Sequence, residues 1–348
     1  MKVTYIYPRN KRVSFTVIAR KHIELLRERG IEVHEADAHS FGERDLAETT
    51  IVQPLFYTVF DVPAALRLLR RRVDYLIGID VADTDHISCK AAAYASVFDV
   101  VAVPSSWSQR VFARSGVTTR VVVLPHGVSE SFLREPREPR SDVVKRVAQM
   151  RCFKFLFFLW HSGYRKGADA LAEAWARAKI WDRACLIIKI ADLLDPFLEY
   201  FKFLKNVHVV SGWLSEDDLV DLYDAVDAVV VPSRGGGFEL NALEALARMK
   251  PVIVSSWPAF DDYCRQCLRV RSRRLVEIFG PFDVASRVHD GRGVDPDPAD
   301  LAEKLKFVTN AYDTVLRMYR PIFEFVRREF TWKRIGERLE RLVRGEVW

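Results

Sequence analysis

The chain has 348 residues, 49% of them apolar and 29% charged, and its 53 basic against 47 acidic side chains leave a formal net charge of +6. That length favours two domains, and a chain this long buries roughly three-quarters of its unfolded surface without help from disulfides or metal. The apolar content, with only 16 Gly and 15 Pro, excludes disordered, collagen-like and mucin-like classes, and no apolar run approaches the ~20 residues of a membrane span.

Met1-Lys2-Val3-Thr4-Tyr5-Ile6-Tyr7 reads as a first strand and lacks the long apolar segment of a signal peptide, so a soluble, cytoplasmic protein is expected. Further strands are predicted at Ile31–His34, Ile51–Leu55, Tyr75–Ile79, Val100–Val103 and Val121–Leu124. Between the first two, Phe15–Arg29 reads as a helix through Ile18, Ile23, Leu25 and Leu26, and stops at Gly30. Continuous apolar strands separated by helices predict a parallel sheet covered on both faces. Leu69-Arg70-Arg71-Arg72 ends a helix, where cations complement the dipole.

Glu130–Arg140 is charged and punctuated by Pro136 and Pro139, as a linker or an exposed connection would be. The alternation then restarts with strands at Phe155–Trp160, Cys185–Ile190, Val207–Val210, Ala228–Pro232 and Val252–Ser255, and helices at Lys166–Lys179, Glu216–Ala225 and Asn241–Arg248. Helical patterns run from Pro298 to Arg344. The fold class is therefore α/β, two Rossmann-like doubly wound domains at 1–145 and 146–330, facing across a cleft at the carboxyl ends of their strands.

Arg outnumbers Lys 38 to 15, which favours anionic partners weakly because the signs are interspersed. Nucleic acid is not expected, and a peripheral contact with an anionic membrane surface stays open. Four Gln and four Asn among so many charges suggest a thermophilic source. Cys264-Arg265-Gln266-Cys267 is a lone CxxC without the second ligand pair of a zinc site, leaving ordinary thiols or a structural disulfide.

Val230-Val231-Pro232-Ser233-Arg234-Gly235-Gly236-Gly237-Phe238-Glu239-Leu240-Asn241 reads strand, glycine turn, then helix. Three glycines let backbone approach a ligand, and a helix start offers free N–H groups to an anion. The same pattern also serves as a plain tight turn.

From Gly237 to Ile253 the chain resembles the donor-binding segment of the GT-B glycosyltransferases, specifically retaining glycosyltransferase family 4, whose pattern is E-G-F-G-L-x-x-x-E-A-x-A-x-G-x-P-V-I. The resemblance implies that Glu244 holds the nucleotide ribose. The family's other glutamate, which contacts the transferred sugar, falls on Gly236, and Glu239 stands where the family has a small residue. Gly163-Tyr164-Arg165-Lys166-Gly167-Ala168-Asp169 is similar to the family's K-G-x-D segment, whose lysine pairs with the donor diphosphate. That role passes to Lys166; the family's arginine falls on His161, and Arg165 is the replacement. Pro104-Ser105-Ser106-Trp107, Pro125-His126-Gly127-Val128 and Phe330-Thr331-Trp332 resemble further family segments in the right order. The last of these implies that a helix over 331–348 crosses back to the first domain.

Asp83-Thr84-Asp85 has the D-x-D form of metal-dependent GT-A transferases. Alternatively Asp83, Asp85 and His86 line the acceptor side or cap the following helix.

The resemblance implies a retaining transferase, and a diphosphate site built from cations and a helix start implies that it is metal-independent. Its nucleotide-sugar donor is a co-substrate and no cofactor is implied; its acceptor is an unidentified glycan, lipid or protein. Lys166, Arg165, Glu239 and His86 are the catalytic candidates. Gly236, Gly237, Phe238, Leu240, Asn241, Glu244, Asp85 and Ser105 are the substrate-binding candidates. The Glu239 carboxylate is expected to face sugar hydroxyls and to avoid the phosphates. Two rival readings are a non-catalytic sugar-binding protein and a GT-A-like enzyme using Asp83 and Asp85.

Overall fold

The computed structural model describes residues 1–11, 13–159, 162–193 and 195–346; Trp160 and His161 lie outside them. The chain forms two compact units, one of residues 1–127, 279–291 and 330–348, the other of 128–278 and 292–329.

In the first unit, β1 (Lys2–Tyr7), β2 (Glu32–Asp37), β3 (Thr49–Val52), β4 (Tyr75–Ile79), β5 (Val100–Val103) and β6 (Arg120–Val123) form a parallel sheet in the order β2-β1-β3-β4-β5-β6. In the second, β7 (Phe153–Leu159), β8 (Ala184–Ile190), β9 (Val207–Ser211), β10 (Ala228–Val231), β11 (Val252–Ser255) and β12 (Leu268–Val270) form another in the order β12-β11-β10-β7-β8-β9. Central strands such as β5 and β10 are all Val and Ala and wholly buried, which is what helices on both faces require. β13 (Ser272–Val276) and β14 (Gly293–Pro296) make an antiparallel ribbon beside the second sheet. Each unit is thus a parallel sheet in doubly wound order, as the sequence predicts.

The unit boundary differs from the sequence expectation. The Pro-rich stretch after Glu130 is not a free linker but is clamped to the second unit. Asp221, whose side chain is 0% exposed, takes Arg134 Nη2 at 2.9 Å and Arg137 Nε at 3.1 Å. Arg248 Nη1 donates to the Phe132 carbonyl at 3.0 Å. A buried carboxylate needs such partners, so residues 128–145 belong with the helix Glu216–Asp224 that carries it. Residues 279–291 join the first unit: the Ser88 N–H donates to Val288 O at 2.8 Å, and Arg287 pairs with Asp61 at 2.6 Å.

The helix Trp332–Val343 packs on Ser14–Glu28 within the first unit, Trp332 lying 5.8 Å from the His22 ring. Gly127 permits this contact, since a Cβ there would sit 2.6 Å from the Trp332 nitrogen. Cys152 is joined to Cys185 and Cys264 to Cys267 by disulfides. Among the described residues no helix is long and apolar enough to cross a membrane.

Candidate functional site

β10 and β7 are neighbours in the second sheet, so the loops at their carboxyl ends lie side by side. Their approach is tight. Gly167, at φ +75°, has its absent Cβ position only 2.2 Å from the Pro232 carbonyl oxygen, so no larger residue fits. Arg165 O accepts the Arg234 N–H at 2.7 Å, and Arg165 Nη1 donates to Gly235 O at 3.2 Å.

Arg234, which the sequence reading passed over, ties the two loops together. Its guanidinium, 3% exposed, donates to both Asp169 oxygens at 2.6 and 2.9 Å and to Asp295 at 3.1 Å. It also donates to the Tyr164 carbonyl at 2.7 Å and stacks 4.0 Å from the Tyr164 ring centre. Only a planar, forked cation satisfies that set. The available signal was an Arg inside a glycine turn together with the Asp of the K-G-x-D segment.

Behind the turn, Trp257 Nε1 donates to Gly236 O at 2.7 Å, and the Tyr263 hydroxyl contacts the carbonyls of Phe238 and Glu239 at 2.6 and 2.9 Å. These bonds hold Glu239 at φ +66°, immediately before the helix Leu240–Ala247. A non-glycine residue is uncommon in that left-handed region and persists where its surroundings enforce it. Phe238 is 3% exposed, with its ring 5.0 Å from Tyr263, so its side chain is part of the core and faces no open site.

Glu239 is the least expected feature. Its side chain is 2% exposed and one oxygen pairs with Lys166 Nζ at 2.6 Å, while the other lies 3.9 Å from Arg165 Nη1. In the structure this carboxylate sits on the two candidate diphosphate-binding cations, because a buried carboxylate is held by the nearest cations. Gly236 makes the room. At φ +150°, its absent Cβ would meet Glu239 Oε1 at 2.7 Å and Arg165 Nη1 at 3.3 Å. The carboxylate therefore occupies the space into which a side chain at 236 would project.

Further along the helix, Glu244 is partly buried and accepts the Tyr223 hydroxyl at 2.7 Å. Burial, reinforced by the Glu216 charge and opposed by that hydrogen bond, pushes its carboxyl up to about 7. Asn241 turns its Oδ1 onto the Ala242 N–H at 3.1 Å. Leu240 and Gly237 complete the turn and helix start. Lys166, Arg165, Gly236 and Glu239 are therefore brought together, with Glu244 on the adjoining helix.

In the first unit the candidates are more dispersed. His86 Nδ1 lies 2.7 Å from Asp290 Oδ1, and both side chains are 44% exposed. Asp85 packs against Gly291, where a Cβ would come within 2.4 Å of its Oδ1. The helix Cys89–Ala95 is capped by Ser88, not by Asp83, Asp85 or His86, because Ser88 occupies the residue before its first turn. Ser105 is 0% exposed and caps Ser106–Arg114, accepting the Ser108 N–H at 3.1 Å. No group of three or more His, Cys, Asp or Glu among the described residues is arranged to hold a metal ion.

Residues 154–308, which contain all of the donor-side candidates, match the family described as Glycosyl transferases group 1. An uncharacterised protein of Sulfolobus islandicus rod-shaped virus 1 is 29% identical over 97% of this chain and 96% of its own length. A provisionally named glycosyltransferase of Sulfolobus islandicus filamentous virus is 25% identical over 80% of this chain and 76% of its own. Among solved structures, HepE of Anabaena, in complex with UDP and glucose, superposes with a TM-score of 0.71 at 14% identity, covering 99% of this chain and 100% of that one. The chain is a glycosyltransferase of GT-B fold, and its residues 154–308 are similar to the group 1 family.

Proposed function

We propose that this enzyme transfers a sugar from a nucleoside-diphosphate sugar to an acceptor hydroxyl, with retention of configuration and without a metal or other cofactor. The observation that carries the reading is the convergence of Lys166, Arg165 and Glu239 at one glycine turn and helix start. Lys166 and Arg165 would neutralise charge developing on the leaving diphosphate, a role that fixed cations perform without reorganisation. Glu244 would accept the ribose hydroxyls. Glu239, reaching the space above Gly236, would hold the transferred sugar. That HepE was solved with UDP and glucose supports a donor of this class. Retention is supported by the resemblance to family 4, and the contact of Asp85 or His86 with an acceptor by their place on loops after β4.

A binding-only reading draws on Gly236, where a family carboxylate is missing. The Glu239 carboxylate over that same position supports the enzyme reading instead.

Thermal unfolding with UDP-, GDP- and ADP-sugars identifies the donor, because a ligand that binds only the native state raises the midpoint. The stabilising donor is then followed for transfer and slow hydrolysis, with and without excess chelator, and the product anomer is read by NMR. Turnover within a few-fold of its starting value under chelator is expected. An absolute manganese or magnesium requirement, lost in Asp83→Ala, would overturn the metal-independent reading. Donor binding with neither transfer nor hydrolysis would move the protein to the binding class.

A further inference from the structure

From the geometry of Glu239 we infer that this carboxylate is an internal competitor for the diphosphate seat, displaced by the donor and thereby delivered to the sugar. The inference rests on the reading above that Lys166 and Arg165 take the diphosphate. An ammonium with a carboxylate 2.6 Å away, the carboxylate being 2% exposed, is already neutralised. A diphosphate that takes the same ammonium must separate that pair or share it, and two anions converging on one lysine repel each other. The carboxylate does not have to leave the turn to yield. Among the described residues its second oxygen accepts no hydrogen bond, and beside it Gly236 has no side chain to block a rotation. The backbone is pinned by Tyr263 and Trp257, so only the side chain has to move.

The arrangement makes a specific forecast about coupling. Donor affinity is lowered by the cost of releasing Glu239, and the released carboxylate becomes available to sugar hydroxyls in the same event. Productive binding therefore requires both parts of the donor: the diphosphate to open the pair and the sugar to receive the carboxylate. A nucleoside diphosphate alone opens the pair and leaves Glu239 without its second partner.

The test is calorimetric titration with whichever of UDP, GDP and ADP binds the wild type best, run on wild type, Glu239→Gln, Lys166→Ala and the double variant, alongside turnover. Glu239→Gln keeps the shape of the side chain and removes its charge. It should bind the nucleoside diphosphate at least fivefold more tightly while turnover falls at least tenfold, an opposition that a merely structural residue would not produce. The matching nucleoside, which has no phosphate to compete, should bind both proteins equally. In the Lys166→Ala background the Glu239→Gln gain should shrink to less than twofold. Equal or weaker diphosphate binding by Glu239→Gln, with Lys166→Ala still losing affinity, would overturn the competitor role alone. Unchanged affinity in Lys166→Ala, or no binding of any of the three nucleotides by wild type, would overturn the diphosphate seat and the competitor with it.

Discussion

At the carboxyl edge of the second sheet, charges are buried and interlocked: Arg234 with Asp169 and Asp295, Lys166 with Glu239. At the same edge of the first sheet, burial pushes the buried titratable groups toward their neutral forms, and the ion pair of that edge lies in solvent. Asp80, which follows β4, accepts the N–H groups of Phe56 and Val81 at 2.8 Å each, and burial raises its carboxyl to about 7. His22 and His126 are buried beside Trp332, and burial lowers each to about 3. His86 and Asp290 pair in the open. Under the proposed function the contrast would separate two tasks. A seat for a charged leaving group has to be rigid before the ligand arrives, and only cross-braced charges in low dielectric provide that. A face that takes a neutral hydroxyl has no such need.

The largest expected effect comes from cutting the brace. Arg234→Met would leave Asp295, 3% exposed at its side chain, with only the more exposed Arg273 and Arg274. Breaking a buried pair typically costs 3–5 kcal/mol, so denaturant unfolding should register a loss of about that size. A variant as stable as wild type would mean that the second edge is no more rigid than the first.

Lys166→Ala should lower turnover by about 10²–10³-fold, the usual effect of removing one donor aimed at developing charge. Retained turnover with intact folding would detach the interlocked charges from catalysis.

Glu244 gives an intermediate effect and a pH signature. Losing a carboxylate that accepts two hydroxyls costs about 1.5–3 kcal/mol, so Glu244→Ala should weaken nucleoside diphosphate binding roughly 10- to 150-fold. The group is raised from 4.5 to about 7, so it gains a proton as pH falls through 7 and becomes a poorer acceptor. Affinity should decline below pH 7 in wild type and show a shallower decline in Glu244→Gln. For folding the sign is reversed: a raised carboxyl stabilises the native state at low pH, and that contribution is lost as pH rises from 4.5 to about 7. Parallel binding profiles in the two proteins would remove Glu244 from the ribose.

Much of this contrast is legible in the sequence alone. Buried parallel strands announce themselves as runs of Val, Ile and Ala, and β4, β5 and β11 fall where those runs are. The glycine turn and the lysine loop were marked by residue types that few other purposes require. Glu239 on Lys166 was not legible, because a charge pair 73 residues apart in sequence leaves no local pattern. Nor was β13: Ser272-Arg273-Arg274-Leu275-Val276 is mostly exposed and carries no apolar alternation. The Pro-rich stretch misled for a related reason. Its charges look solvated in sequence, and only the fold shows that Arg134 and Arg137 close over a fully buried Asp221.

The smallest expected effect tests the open pair of the first unit. His86 and Asp290 are close enough for a strong hydrogen bond at 2.7 Å, but each is 44% exposed, so water screens the charge and both side chains give up rotamer freedom to meet. A double-mutant cycle over His86→Ala and Asp290→Ala should therefore give a coupling below about 1 kcal/mol in stability. If the pair has only this role, turnover in both single variants stays within twofold of wild type. If His86 serves the acceptor hydroxyl, Asp290 acts on it through the imidazole, and both variants lose turnover together while nucleoside diphosphate affinity is untouched. That second outcome would sharpen the comparison. Catalysis in the first unit would rest on an exposed, adjustable pair, in the second on a buried, fixed one, and the two would be separable by the salt dependence of the His86–Asp290 coupling alone.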